Sequence, residues 1–439
     1  MARDGVRAGP GDRRRGWGWA GWPVNGVGVR SVAGDGVRLG RVAGDGKGRF
    51  GGGRSSDRVI VGVVLGVQLA ASLGFFAVMS HVVVHLRHDL GLLAGTVGLV
   101  LGLRIGLQYA LYLPAGVLTD RVGAARTGAL ACVLRAAGFA LLGSASGLPT
   151  LLGAAVLLAT GGALFHPAAQ SLLAGVTARR RAFAGYVATG QAAAVAGPPL
   201  GLLVTFSHLA LGAAVLWTTA ALLFLALRGP TTTASGTAGR GHLRPALRDR
   251  AFLRLALVLS PTTLLIEQMA TAVPMLGSGR AAVTVYLCVL ATVAAMIQPF
   301  IARRADRPAI LRASMLATAS AFALLLVANP LAFLAAACLA GIATGAMQPA
   351  VFHSIVRHAP ARAVGVHLGL AAFASGALAF TGNLLLGHAF EADAAPAALL
   401  ALAALALTSA ATHRTAPAPR VDSPPLTTPP RPAPARTTQ

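Results

Sequence analysis

The sequence predicts an all-α polytopic membrane protein with twelve transmembrane helices in two pseudo-symmetric six-helix halves. Three observations carry this. Apolar residues make up 55% of 439 and charged residues only 11%, with a mean hydropathy of +0.69. From Val59 onward long apolar runs alternate with brief polar punctuation, and the arginines fall almost wholly on one set of connections. An ordinary soluble domain is about one quarter charged, so a chain this poor in charge needs lipid as its solvent over most of its length.

Residues 1–58 are rich in Gly and Arg and lack the apolar core of a signal peptide. They read as a disordered basic cytoplasmic tail. A helix needs roughly 20 apolar residues to cross the hydrocarbon. Runs of that order lie at 59–81, 92–118, 126–145, 149–174, 182–206 and 208–228, the first half (59–228). Six more lie at 251–276, 281–302, 308–328, 331–356, 363–389 and 394–412, the second half (251–412). Residues 229–250 are the longest internal polar stretch and read as a cytoplasmic linker; 413–439 read as a disordered Pro-rich cytoplasmic tail.

Arginine placement predicts orientation. With these spans, 33 of the 37 Lys and Arg fall on one side and only Arg87 and Arg280 on the other, while Arg104 and Arg135 lie inside spans. The positive-inside rule then places both termini in the cytoplasm of a multi-pass cell-membrane protein. The net charge of +24 belongs to this topology. Nucleic-acid binding is disfavoured, because no basic stripe is interleaved with stacking aromatics. Cys132, Cys288 and Cys338 sit singly in apolar runs, without metal-ligand or disulfide spacing. No phosphate-cradling Gly-x-x-x-x-Gly-Lys occurs, and no Ser/His/Asp constellation stands out. The expectation is therefore a protein that is not an enzyme and uses no cofactor or metal, with the lipid bilayer and a small molecule as its partners.

The halves echo each other. Asp120-Arg121 with Arg126 returns as Asp306-Arg307 with Arg312, and Ala159-Thr160-Gly161 before Pro167 returns as Ala343-Thr344-Gly345 before Pro349. Arg181-Ala182 returns as Arg362-Ala363. Parallel six-helix repeats with a site near the midplane between them are a transporter plan.

Between spans 2 and 3 stands Gly116-Val-Leu-Thr-Asp120-Arg121-Val-Gly123, followed by Arg126, and span 5 carries Gly197, Pro198 and Gly201. In these residues the chain resembles the major facilitator superfamily. Gly116, Leu118, Asp120, Arg121 and Gly123 match the superfamily's loop pattern in place. Gly197, Pro198 and Gly201 match its helix 5 antiporter motif, though Leu202 replaces the final Gly and Ala184 and Ala193 replace earlier ones. Its helix 4 arginine is absent, since 149–174 contain no Arg. Ser72-Leu-Gly-Phe-Phe76, Gly102-Leu-Arg-Ile-Gly-Leu-Gln108 and Gly162-Ala-Leu-Phe-His-Pro167 are similar to the 12-helix drug:proton antiporter branch. The resemblance implies the major facilitator fold and efflux coupled to protons. It also implies gating by Gly116, Asp120, Arg121, Gly123, Arg126, Asp306 and Arg307, with the Asp holding the halves together at the cytoplasmic face.

Few polar groups lie within the spans. Glu267 is the one acid well inside a span, where a charge costs about 2.5–3.5 kcal/mol on insertion scales. Ser260, Thr263, Glu267 and Thr271 recur at helical spacing, with Pro274 as the expected kink. Arg104 sits mid-span, with Gln108 and Tyr112 on the same face. Arg135 is expected to snorkel to the cytoplasmic surface. His166 and His353 are candidate proton carriers, and Gln68 and Ser72 candidate cavity residues. The substrate and proton pathway predicted from these is Glu267, Arg104, Gln108, Gln68, His166 and His353.

The function predicted is secondary active transport: proton-coupled efflux of drugs or other small molecules by a functional monomer, through alternating access. The alternatives are a metabolite permease or symporter of the same fold, and a non-transporting membrane sensor or scaffold.

Overall fold

The computed structural model describes residues 52–227, 240–301, 304, 307–360 and 363–413. The expected tails fall outside these residues, save 52–58 and His413, as do Asp306 and Arg362. Among the described residues every regular element is helical: α1 (Gly52–Val84), α2 (Ala94–Val122), α3 (Ala124–Gly143), α4 (Leu148–Ala174), α5 (Arg179–Leu200) and α6 (Phe206–Ala226), then α7 (Arg240–Arg248), α8 (Arg250–Leu259), α9 (Pro261–Met275), α10 (Arg280–Ile301), α11 (Pro308–Leu324), α12 (Pro330–His358), α13 (Val364–Glu391) and α14 (Ala395–Thr412). A backbone without water must satisfy its own hydrogen bonds, and helices do so within one segment.

Among the described residues ten stretches are long and apolar enough to cross a membrane, with α8 and α9 together forming one of them. The expected spans 182–206 and 308–328 correspond to α5, whose first turn is Arg179-Arg180-Arg181, and to α11, which has only 17 residues. Two boundaries differ from the sequence reading. Helix α1 begins at Gly52, before Val59, and α7 occupies Arg240–Arg248 inside the expected linker.

Seventh-span geometry also differs. The expected kink at Pro274 is not where the helix breaks: the break lies at Ser260–Pro261, and Pro274 sits in the last turn of α9. Proline lacks the N–H that would bond four residues back, which frees the Leu257 carbonyl. The Ser260 hydroxyl donates to it at 2.8 Å.

Helices α1–α6 pack among themselves, as do α8–α14, and the two groups meet mainly through α2 against α13 and α5 against α10. The α2–α13 contact is built on absent side chains. Gly95, Gly98, Gly102 and Gly106 lie against His388, Asn383, Phe380 and Gly376, and a Cβ at Gly102 would come within 2.9 Å of the Phe380 carbonyl oxygen. Small residues let helix backbones approach in this way in apolar surroundings.

The bundle's two ends differ. At one end Arg280 Nη2 bonds Asp89 Oδ2 at 2.8 Å, and the Gly95 N–H donates to Glu391 Oε2 at 3.0 Å, both across the groups. The latter carboxylate sits at the first turn of α2, where the helix dipole favours negative charge. At the arginine-rich end Asp120 and Arg121 are exposed. The Arg280–Asp89 and Gly95–Glu391 contacts clasp the groups at the Asp89 end.

Candidate functional site

Between the two helix groups lies a cavity of about 410 Å³, lined from α1, α2, α3, α4, α5, α6, α8, α9, α10, α12 and α13. That is within the range of small-molecule sites, about 300–1,000 Å³. Gln68, Arg104, Gln108, His166 and Glu267 all line it, and the structure brings these sequence-predicted residues together. His353 does not line it; the ring sits edge-on to Phe352, a neighbour that does.

The centre of the site is a charge pair across the two groups. Arg104 Nη2 of α2 lies 3.6 Å from Glu267 Oε2 of α9, with side chains 12% and 30% exposed. The residues are far apart in sequence, and each alone is costly to insert; together they neutralise each other. Thr263 and Thr271 share the cavity face with Glu267, whereas Ser260, expected in the same stripe, is spent on its own backbone. Gln108 donates to the Tyr112 hydroxyl at 2.9 Å, Gln68 to Ser72 at 3.1 Å, and His166 Nδ1 lies 3.1 Å from the Tyr186 hydroxyl.

Arg135 corrects the sequence reading. It does not snorkel: it is 6% exposed and lines the cavity. Its guanidinium carbon lies 5.1 Å from the Phe75 ring and 4.8 Å from the Trp217 ring. Gly161 and Gly162 of α4 make the room, because a Cβ at Gly162 would come within 2.5 Å of Arg135 Nη2 and 2.7 Å of Gln108 Oε1. Spacing along the helix axis measures depth alone; the notch in α4 decides which way the side chain turns.

The helix 5 residues face α1. A Cβ at Gly197 would fall 2.6 Å from Phe76 Cβ, and the Gly201 position is filled by the ring of His81. His81 Nε2–H donates to the Pro198 carbonyl at 2.9 Å. His81 escaped the sequence reading because no acid or repeat marks it. In the loop between α2 and α3, Gly123 is the single linking residue, at φ 94°, a backbone region that side chains disfavour. Gly116 has open space around it, and Arg126 and Arg307 are exposed. Cys132 is buried, and Cys288 and Cys338 are half-buried free thiols.

The comparisons with known proteins agree with this architecture. A family model described as Major Facilitator Superfamily matches residues 64–383. An uncharacterized MFS-type transporter of Mycobacterium tuberculosis is 30% identical over 354 residues, covering 74% of this chain and 84% of that protein. A multidrug resistance protein MdtH of Aeromonas hydrophila is 37% identical over 226 residues, covering 49% of this chain and 56% of that protein. In fold, the chain is similar to the nucleoside transporter NupG, with a TM-score of 0.68 at 12% identity over 82% of this chain and 99% of that one. It is equally similar to a peptide transporter POT, with a TM-score of 0.68 at 14% identity over 84% and 95%. A bundle with a central charged cavity, the family match over residues 64–383 and relatives that are transporters lead to one conclusion: the chain belongs to the major facilitator superfamily and is a multi-pass membrane transporter of small molecules.

Proposed function

We propose that this transporter exports drugs or other small molecules in exchange for protons. It works as a monomer in the cell membrane with both termini cytoplasmic. In this reading α5 and α11 also cross the bilayer, making twelve spans, and the halves 59–228 and 251–412 rock about the cavity in alternating access. The observation that carries it is the Arg104–Glu267 pair, which joins the halves inside the cavity. A proton on Glu267 would dissolve the attraction and a proton leaving would restore it, so occupancy by a proton and the relation between the halves are linked. Glu267 is the one acid among the described lining residues. Similarity to MdtH over half the chain supports export of drugs, and the 33 cationic residues on one side support the orientation.

Everted vesicles with an imposed proton gradient test the reading. Compounds identified by a resistance screen in an efflux-deficient host should dissipate the gradient with the wild-type protein and not with Glu267→Gln. A gradient untouched by every such compound rejects proton exchange. Protons and substrate moving in the same direction would establish the symporter alternative.

A further inference from the structure

The charge in the cavity is unevenly compensated. Arg104 has Glu267; among the described residues Arg135 has no ion pair, and its Nε is buried without a hydrogen-bond partner. Removing an ion from water is costly even after relaxation, and a desolvated cation–π contact returns only part of that cost. Two aromatic faces hold the guanidinium in place but leave Nε unmatched. Arg104 Nε and Trp217 Nε1 are likewise buried donors without acceptors. The unpartnered acceptors Gln68 Oε1, Gln108 Oε1 and Gln170 Oε1 belong to carboxamides, whose half-turn exchanges acceptor for donor.

We propose that Arg135, set between Phe75 and Trp217, is the subsite for a substrate carboxylate, and that the cavity takes amphipathic organic monoanions with a flat apolar body. A planar guanidinium matches a carboxylate by two parallel hydrogen bonds. One uncompensated cation calls for one negative charge. The volume of about 410 Å³ and the aromatic wall of Phe75, Phe165 and Trp217 set the size and character of the rest of the ligand. The subsite lies wholly on α1, α3, α4 and α6, so it travels with one half while Glu267 belongs to the other. The inference rests on the transporter reading for its physiological meaning, but it concerns what is bound and holds for either direction of transport.

Calorimetric titration of the full-length protein in lipid nanodiscs tests it, using naphthoate, indole acetate and phenylbutanoate, each beside its primary amide and its amine. A hydrogen bond to a charged group gives the acids about a 10- to 100-fold tighter binding than the amides, with the amines weakest. Arg135→Gln should erase the preference for acid over amide while amide affinity is retained. Arg135→Lys, which keeps the charge and loses the fork, should retain a reduced preference. Amides or amines binding as well as acids in the wild type would overturn the proposal without any variant. So would an acid preference that survives Arg135→Gln, or no binding of any acid at millimolar concentration. Binding with the expected preference but no movement across vesicles would reject the proposed export and leave the subsite standing.

Discussion

The two halves share a scaffold and divide the chemistry. Each ties the start of its first long helix to the end of its fourth. In the first half the Thr177 N–H and hydroxyl donate to Asp57 Oδ2; in the second, Asp249 Oδ2 lies 3.1 Å from His358 Nε2. Each presses a late glycine onto its first long helix, Gly197 onto Phe76 and Gly382 onto Leu264. The cavity walls differ. The first half supplies Arg104, Arg135, His166 and most of the aromatic surface; the second supplies Glu267 and the threonines, and glutamines come from both. A repeated fold therefore conserves how helices are anchored while leaving each wall free to carry its own charge.

The largest expected effect falls on that division of charge. Glu267→Gln should reduce proton-driven flux to background in vesicles; flux at the wild-type level would mean that the second half's carboxylate is not the coupling group. Next comes stability. Removing one partner of a buried ion pair costs about 3–5 kcal/mol, less here because Glu267 is 30% exposed to the cavity. Arg104→Ala should lower the melting temperature in detergent, and adding Glu267→Gln should recover most of the loss. Additive losses would show that the pair spans the halves without coupling them.

Glycine contacts sharpen the comparison further. A Cβ at Gly197 would meet backbone, with Ala77 N at 2.9 Å and Phe76 C at 3.0 Å, whereas at Gly382 it meets the movable end of Leu264. Overpacking costs about 1–3 kcal/mol, so Gly197→Ala should destabilise at the upper end of that range and Gly382→Ala near the lower. Equal melting temperatures would contradict the difference in contact.

The smallest effect concerns the anchors. Asp249 caps α8, accepting from the Ala251 and Phe252 N–H groups at 3.0 Å each. Partial burial pushes its carboxyl up, but the Phe252 N–H and His358 together hold it below the usual range. A depressed folded value means the stabilisation is present above the ordinary carboxylate range and is lost as pH falls through the lowered value, from about pH 4 downward. Asp249→Ala should cost about 1 kcal/mol at neutral pH and progressively less below that range, read as melting temperature against pH. Asp57→Ala, at an exposed site, should cost less.

How far the sequence revealed this follows from what each signal measures. Hydropathy registers lipid contact, so twelve apolar runs stood out; among the described residues ten stretches are long and apolar enough to cross, while α5 opens on three arginines and α11 is short. Glu267 was visible because an acid is rare in an apolar run. Its partnership with Arg104 was not, because pairing across halves is set by how the bundle closes. The inward turn of Arg135 depends on the α4 notch, and whether His353 lines the cavity depends on how α12 packs; spacing along the chain records neither.

Gly123 has a mechanical consequence. With one residue joining α2 to α3, the linkage has no slack to absorb relative travel at that end. Any slide or tilt of α2 along its glycine track on α13 must be transmitted to the base of α3, and α3 bears Arg135. A rearrangement at the interface between halves is thus geared directly to the guanidinium in the cavity, and lengthening this one-residue connection would uncouple the two as play uncouples a gear.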